Sequence, residues 1–103
     1  MKPAAIPTRV LGATGRVVTV FGLGGEGVLR THGEDQAAES VIRAATECGV
    51  SYFDSAHAYA GSEAYYGHFW RQHPEIREKV FITSKSASRD GAGARRDLET
   101  TLS

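Results

Sequence analysis

The sequence predicts an α/β fold in which short strands alternate with helices. Two kinds of segment in the sequence support this class. Runs rich in β-branched residues alternate along the chain with segments whose apolar residues recur at helical spacing. Strands joined through helices pair in parallel by right-handed crossovers. The expected order is therefore a hairpin, then β, α, β, α, β, and the start of a further helix.

The N-terminal part of the chain predicts a β-hairpin. Residues 8–11 (TRVL) and 16–21 (RVVTVF) are strand-like, and the intervening GATG carries two glycines that favour a turn. The hairpin is expected over 8–18, and the second run is expected to continue into the first strand of the β/α units, which cover 19–103.

The first helix is predicted from Asp35 onward. Its apolar stripe consists of Ala38, Val41, Ile42, Ala45 and Cys48. Glu34 and Asp35 place negative charge at the helix start, and Gly49 provides a stop signal. Cys48, on this stripe, is expected to be a small buried side chain.

The remaining elements follow the same alternation. Residues 50–54 (VSYFD) predict a strand, and Ser62 is expected to cap a second helix that presents Tyr66, Phe69 and Trp70 on one face and ends near Pro74. Residues 80–85 (VFITSK) predict the next strand. RDGAGA is expected to be a loop, and a third helix is expected in RRDLETTLS.

Composition excludes several classes of function. Twelve basic residues balance twelve acidic ones without a basic patch, so no nucleic-acid partner is predicted. No apolar run is long enough to span a membrane, and the N-terminus lacks the apolar region of a signal peptide. A single cysteine excludes an internal disulfide and fits a cytoplasmic location. The four histidines share no metal-ligand spacing, so no metal site is predicted.

The stretch FGLGGEG at 21–27 matches the dinucleotide-binding pattern G-x-G-x-x-G through Gly22, Gly24 and Gly27. In a Rossmann fold these glycines open directly into a helix, whose N-terminus receives the pyrophosphate. Here VLRTHGE follows Gly27 before any helical spacing begins. The motif therefore does not predict a Rossmann fold, although a glycine turn still allows close approach of a ligand to the backbone.

Three polar side chains lie at strand ends or just after them. Asp54 ends one predicted strand, Tyr59 lies in the loop that follows it, and Lys85 ends the next. The carboxyl ends of parallel strands form the functional face of such folds. A nearby lysine ammonium stabilises a tyrosinate, and a carboxylate can hold the lysine in place. The pattern alone also fits a solvated lysine and an aspartate that merely begins a turn.

The segment GVSYFDSAHAYAGSEAYYG at 49–67 resembles the aldo-keto reductase signature G-x-x-x-x-D-T-A-x-x-Y-G-x-S-E-x-x-x-G. The positions in register are Gly49, Asp54, Ala56, Tyr59, Ser62, Glu63 and Gly67. FITSK at 81–85 resembles the family strand that ends in a catalytic lysine. The hairpin and GLGGEG also lie where this family has a hairpin and a glycine-containing first strand.

The resemblance implies an N-terminal hairpin and the first three β/α units of a TIM-type (β/α)8 barrel. It also implies that a small carbonyl substrate is reduced with NADPH, with NADH as the open alternative. Asp54, Tyr59 and Lys85 take the catalytic positions of the family. Gly24, Gly25, Glu26 and Asp54 are implied to lie beside the nicotinamide and its ribose.

The chain departs from the family pattern at two loop positions. Ser55 replaces a threonine and Ala60 replaces a glycine. The family's catalytic histidine and its main phosphate-binding residues follow later strands than those present here, so the chain is expected to be an incomplete barrel that is inactive alone. The alternative hypothesis is a non-catalytic α/β module that associates with itself through an open sheet edge.

Overall fold

The computed structural model describes residues 5–103, and it begins with a short antiparallel hairpin. Strands β1 (Thr8–Val10) and β2 (Val17–Thr19) pair so that Thr8 lies opposite Thr19. Gly12 and Gly15 adopt positive φ angles in the connecting turn, which is the conformation that glycine permits at no steric cost.

The predicted continuation of the hairpin into a first parallel strand is wrong over most of its length. β2 ends at Thr19, and within the described residues 5–103 the one isolated bridge further on is at Leu23, which pairs in parallel with Phe53. Its amide donates to the carbonyl of Tyr52 at 3.0 Å, and its carbonyl accepts from the amide of Asp54 at 2.9 Å. Glycines flank Leu23 on both sides, and glycine disfavours extended strand structure.

The central element is a parallel pair of strands, β3 (Tyr52–Asp54) and β4 (Phe81–Thr83). Their register sets Asp54 opposite Thr83. Both strands are shorter than predicted, but backbone hydrogen bonds continue beyond them: the amide of Ser55 donates to the carbonyl of Thr83, and the amide of His57 to that of Lys85. The two chain segments therefore stay side by side through Lys85.

Helix α1 (Asp35–Glu47) begins where its apolar spacing begins. Ala38 and Ile42 are fully buried, and Gly49 has a φ of 91° just beyond the helix end. The predicted burial of Cys48 is wrong, because this residue follows the last helical residue as the C-cap and its side chain is exposed.

Helix α2 (Ser62–Gln72) is followed directly by the short helix α3 (Pro74–Arg77). The prediction that Ser62 caps α2 is wrong, since Gly61 occupies the cap position and no side chain caps the helix. The Ser62 hydroxyl is instead buried and accepts a hydrogen bond from the Ser55 hydroxyl at 2.8 Å.

Helix α4 (Gly91–Leu102) begins four residues earlier than predicted, within the segment expected to be a loop. Asp90 caps it: the carboxylate accepts from the amide of Gly93 at 2.6 Å. This hydrogen bond offsets the low helix propensity of the two glycines in the first turn. None of the helices described over 5–103 is long and apolar enough to cross a membrane.

The core beneath the strands is aromatic. Phe53, on β3, is fully buried, and its ring makes edge-to-face contacts with Tyr66 and Trp70 of α2 at centroid distances of 5.9 and 5.2 Å. Phe69 adds a further edge contact to Trp70. Because side chains alternate along a strand, packing of Phe53 against α2 directs Asp54 to the opposite face of the sheet.

Candidate active site

Asp54 and Lys85, both predicted site residues, form an ion pair at the carboxyl ends of β3 and β4. The Lys85 ammonium lies 2.8 Å from each carboxylate oxygen of Asp54 and 2.9 Å from the carbonyl oxygen of Ser55. Thr83 donates a further hydrogen bond to Asp54 at 2.7 Å. An ammonium has three N–H groups, and here each of them has an acceptor.

This pairing keeps both groups charged. Burial acts to raise the pKa of Asp54, but the hydrogen bonds from Lys85 and Thr83 outweigh it and hold that pKa below its ordinary value of 3.8. The hydrogen bond to Asp54 raises the pKa of Lys85. The stability that the pair contributes is therefore present above pH 3.8 and is lost as the pH falls through the lower pKa of the folded state.

Tyr59 lies beside this ion pair in the Tyr59 loop (residues 55–61). The Lys85 nitrogen is 5.1 Å from the centroid of the Tyr59 ring, within the range of a cation–π contact. Backbone hydrogen bonds fix the loop: the Tyr59 amide donates to Ala56, and the Tyr59 carbonyl accepts from Ser62. The structure thus brings together all three residues predicted to be catalytic, and the Tyr59 side chain is partly exposed.

A second cation approaches Tyr59, and sequence reasoning missed it. The guanidinium carbon of Arg30 lies 4.7 Å from the centroid of the Tyr59 ring. Arg30 donates to Glu26 at 3.0 Å. The contact depends on a backbone hydrogen bond of 2.9 Å from Gly61 to Thr31, which joins two segments far apart in the sequence. No local pattern of residues could have indicated it.

The predicted cofactor positions differ in accessibility. Gly25 is buried, and a Cβ atom at this position would lie 2.9 Å from both the Asp54 carbonyl oxygen and the Ser55 Cα. Gly24 is exposed, and a Cβ atom there would meet nothing within 4 Å. Glu26 is also exposed. Gly25 therefore serves close packing against the end of β3, while Gly24 leaves its backbone open to a ligand.

His57, in the Tyr59 loop, lies between two carboxylates. Its Nδ1 is 3.6 Å from Glu63 and its Nε2 is 3.4 Å from Asp97 of α4. Ser86 and Ser88 donate to the same Asp97 carboxylate. Hydrogen bonds from these two serines lower the pKa of Asp97, and the charge of His57 adds to the effect. This cluster connects the Tyr59 loop to α4.

The chemistry of these residues fits a nicotinamide cofactor. The open backbone at Gly24 and the carboxylate of Asp54 both come directly after the parallel bridge between Leu23 and Phe53, whose backbone hydrogen bonds join the two segments. Flat, close approach of a ring requires an unobstructed backbone, which glycine provides, and a carboxylate accepts hydrogen bonds from ribose hydroxyls. Gly24 and Asp54 would thus hold the nicotinamide end of the cofactor, with Tyr59 and Lys85 beside it.

The fold and the site define a class of protein. Its members are α/β proteins that carry an aspartate, a tyrosine and a lysine at or just after the carboxyl ends of their strands. A sequence profile of the Aldo/keto reductase family matches residues 20–102. The chain belongs to this family. No curated protein gives a significant sequence match to the chain.

Two solved structures of proteins from Pseudomonas aeruginosa that are assigned to the aldo-keto reductases are similar to this chain. One superposes with a TM-score of 0.74 and 32% sequence identity over 92% of this chain. The other gives a TM-score of 0.72 and 31% identity over 92% of this chain. The chain spans 40% and 41% of the lengths of these two proteins.

Ala60 provides a direct test of the geometry of the Tyr59 loop. Among residues 5–103 it is the one non-glycine residue with a positive φ, 43°. This left-handed conformation costs an alanine about 1–2 kcal/mol, whereas glycine adds about 0.4–1 kcal/mol of unfolded-state entropy. We expect Ala60→Gly to raise the free energy of unfolding of the 103-residue chain by about 0.5–1 kcal/mol, measured by urea denaturation and circular dichroism.

The neighbouring exposed alanine supplies the control. Ala58 lies in the same loop without a positive φ, so Ala58→Gly is expected to leave stability unchanged or to lower it slightly. Equal losses of stability in the two variants would show that Ala60 is not strained.

Proposed function

We propose that this chain carries the proton-donating part of the active site of a nicotinamide-dependent reductase that converts an aldehyde or ketone to an alcohol. The single observation that carries the proposal is the meeting of Asp54, Lys85 and Tyr59 at the carboxyl ends of β3 and β4. Membership of the Aldo/keto reductase family supports it. The β/α units are proposed to be part of a (β/α)8 barrel, the fold whose functional face lies at these strand ends.

In this proposal Tyr59 is the general acid. Its phenolic hydroxyl donates a proton to the carbonyl oxygen of the substrate as negative charge develops on that oxygen. An unperturbed phenol is a weak acid at neutral pH, so the reaction requires a nearby positive charge that stabilises the phenolate left behind. Lys85 supplies that charge 5.1 Å from the ring centroid.

Lys85 acts on Tyr59 through its charge in the arrangement described. Its three short hydrogen bonds are to Asp54 and to the carbonyl of Ser55, and the nearby Tyr59 contributes, after Asp54, to raising the pKa of Lys85. Asp54 is therefore a positioning residue for Lys85. The pairing holds the ammonium at the strand ends and keeps it protonated, because the hydrogen bond to Asp54 raises the pKa of Lys85.

A reduced nicotinamide, when bound, supplies the hydride that the carbonyl carbon accepts. NADPH is the proposed cofactor, as the family resemblance implies. The residues proposed to lie beside the cofactor are Gly24, Glu26 and Asp54. Gly25 packs against the end of β3 and so keeps this segment close to Asp54. The hydroxyl of Ser55, which bonds to Ser62, holds the start of the Tyr59 loop in place.

A fluorescence titration of the 103-residue chain with NADPH tests the proposal. We expect saturable binding, and we expect Asp54→Asn to weaken it about tenfold. The asparagine amide cannot hold Lys85 through two charged hydrogen bonds. The side chains beside the proposed cofactor position are then no longer held in place. The control is Asp35→Asn, which removes an exposed carboxylate at the start of α1 and should not change the affinity.

Two results would contradict the assignment of the cofactor to these residues. Equal NADPH affinity in the parent chain and in Asp54→Asn would remove Asp54 from the cofactor site. Absence of binding in the parent chain would show that these residues do not hold the nicotinamide by themselves.

A further inference from the structure

We propose that Arg30 makes this site selective for carbonyl substrates that carry a negatively charged group, a carboxylate in the first instance. The inference rests on the proposed function, since it takes Tyr59 as the residue that meets the carbonyl oxygen. The guanidinium of Arg30 lies 4.7 Å from the centroid of the Tyr59 ring. A substrate bound at the Tyr59 hydroxyl would therefore lie near a permanent positive charge.

The two cations at Tyr59 differ in what they can still bind. The Lys85 ammonium directs all three of its N–H groups to Asp54 and Ser55. A guanidinium has five N–H groups, and among residues 5–103 the side chain of Arg30 makes one hydrogen bond, to Glu26. Arg30 is thus the cation beside Tyr59 that retains donors for a ligand.

The pairing with Glu26 does not block this role. The contact is a single hydrogen bond of 3.0 Å, and the side chains of Arg30 and Glu26 are 46% and 60% exposed. Exposed ion pairs of this kind contribute about 0–1 kcal/mol. A substrate carboxylate can bind a guanidinium through two parallel hydrogen bonds, so it can compete with Glu26 or bind beside it.

The backbone holds Arg30 firmly in position. Leu29, the residue before it, is buried in the core at 1% exposure. Thr31, the residue after it, accepts from the amide of Gly61 and shares a hydrogen bond with the Tyr65 hydroxyl. The backbone of Arg30 is therefore held from both sides against the Tyr59 loop, so its side chain can bind a ligand without a rearrangement of the backbone.

A matched pair of ketones tests the inference: 4-acetylbenzoate, which carries a carboxylate, and its methyl ester, which does not. Binding to the isotope-labelled 103-residue chain is followed by NMR, including the side-chain Nε–H signal of Arg30. We expect the carboxylate to bind about tenfold more tightly than the ester or better. Arg30→Met should reduce this preference to less than about threefold, and Arg30→Lys should retain part of it.

Arg16 provides the control variant. Its guanidinium also lies over an aromatic ring, 5.3 Å from the centroid of Phe81, at the opposite end of β4 from Lys85. Arg16→Met removes the same charge and should leave the preference intact. Backbone NMR spectra of each variant verify that the fold is retained.

Several outcomes would overturn the inference. Equal binding of the two ketones to the parent chain would do so, as would no binding of the carboxylate, or equal losses in Arg30→Met and Arg16→Met. If Arg30→Met weakens NADPH binding but not the preference for 4-acetylbenzoate, the anion held by Arg30 belongs to the cofactor and the substrate assignment is wrong. The proposed function itself is tested separately, because Asp54→Asn and the NADPH titration do not involve Arg30.

Discussion

Replacing Tyr59 with phenylalanine is expected to slow carbonyl reduction about 10²- to 10⁴-fold, the usual contribution of a general acid. The substitution removes the phenolic oxygen while leaving a ring that Arg30 and Lys85 can still approach. The measurement uses residues 1–103 joined ahead of the C-terminal portion of the Pseudomonas aeruginosa relative that the chain does not cover, with NADPH oxidation followed at a saturating ketone concentration.

The loss should appear in kcat, because the missing proton transfer occurs in the chemical step. NADPH affinity should stay the same. The control is Tyr52→Phe, which removes a hydroxyl from β3 at the opposite end of the strand from the site. Unchanged reduction by the Tyr59→Phe enzyme would contradict the role of Tyr59, whatever the behaviour of Tyr52→Phe.

Replacing Gly25 with alanine is expected to lower the free energy of unfolding by about 1–3 kcal/mol, the typical cost of inserting a methyl group into a packed interior. The added Cβ would lie 2.5 Å from the Ser62 hydroxyl oxygen and 2.9 Å from two backbone atoms of Asp54 and Ser55. Backbone atoms cannot rotate away as a side chain can, so the two segments must separate. Urea denaturation of the 103-residue chain provides the measurement.

The adjacent glycine is the matched control. Gly24→Ala adds the same methyl group where nothing lies within 4 Å, and we expect it to change stability by less than about 0.5 kcal/mol. It should nevertheless weaken NADPH binding if the backbone at Gly24 faces the cofactor. Similar destabilisation by both substitutions would show that the close approach of Gly25 to the end of β3 is absent in solution.

The sequence predicted the fold best where the signal was local. The stripe of α1 and the stop at Gly49 depend on spacing and on backbone sterics within a few residues, and the helix ends there. The start of α4 was missed because GAGA has low helix propensity. The hydrogen bond from the Gly93 amide to the Asp90 side chain overrides that propensity. The predicted burial of Cys48 was wrong because the spacing of apolar residues does not show at which residue the helix ends.

The site was predictable only in part. Asp54, Tyr59 and Lys85 lie at or just after strand ends, so the topology of parallel strands was enough to bring them together. Arg30 reaches Tyr59 through the hydrogen bond between Gly61 and Thr31. A contact of this kind between distant segments depends on how loops pack, and it leaves no periodicity in the sequence.

The aromatic core has a spectroscopic consequence. Trp70 is the only tryptophan in the chain, it is 8% exposed, and its ring stacks on Tyr66 at an interplanar angle of 4°. Its indole N–H is buried without a hydrogen-bond partner among residues 5–103. All tryptophan emission therefore originates from one apolar environment, at short wavelength. The fluorescence of Trp70 therefore reports on the packing between α2 and β3. Changes confined to the N-terminal hairpin are expected to leave this fluorescence unchanged.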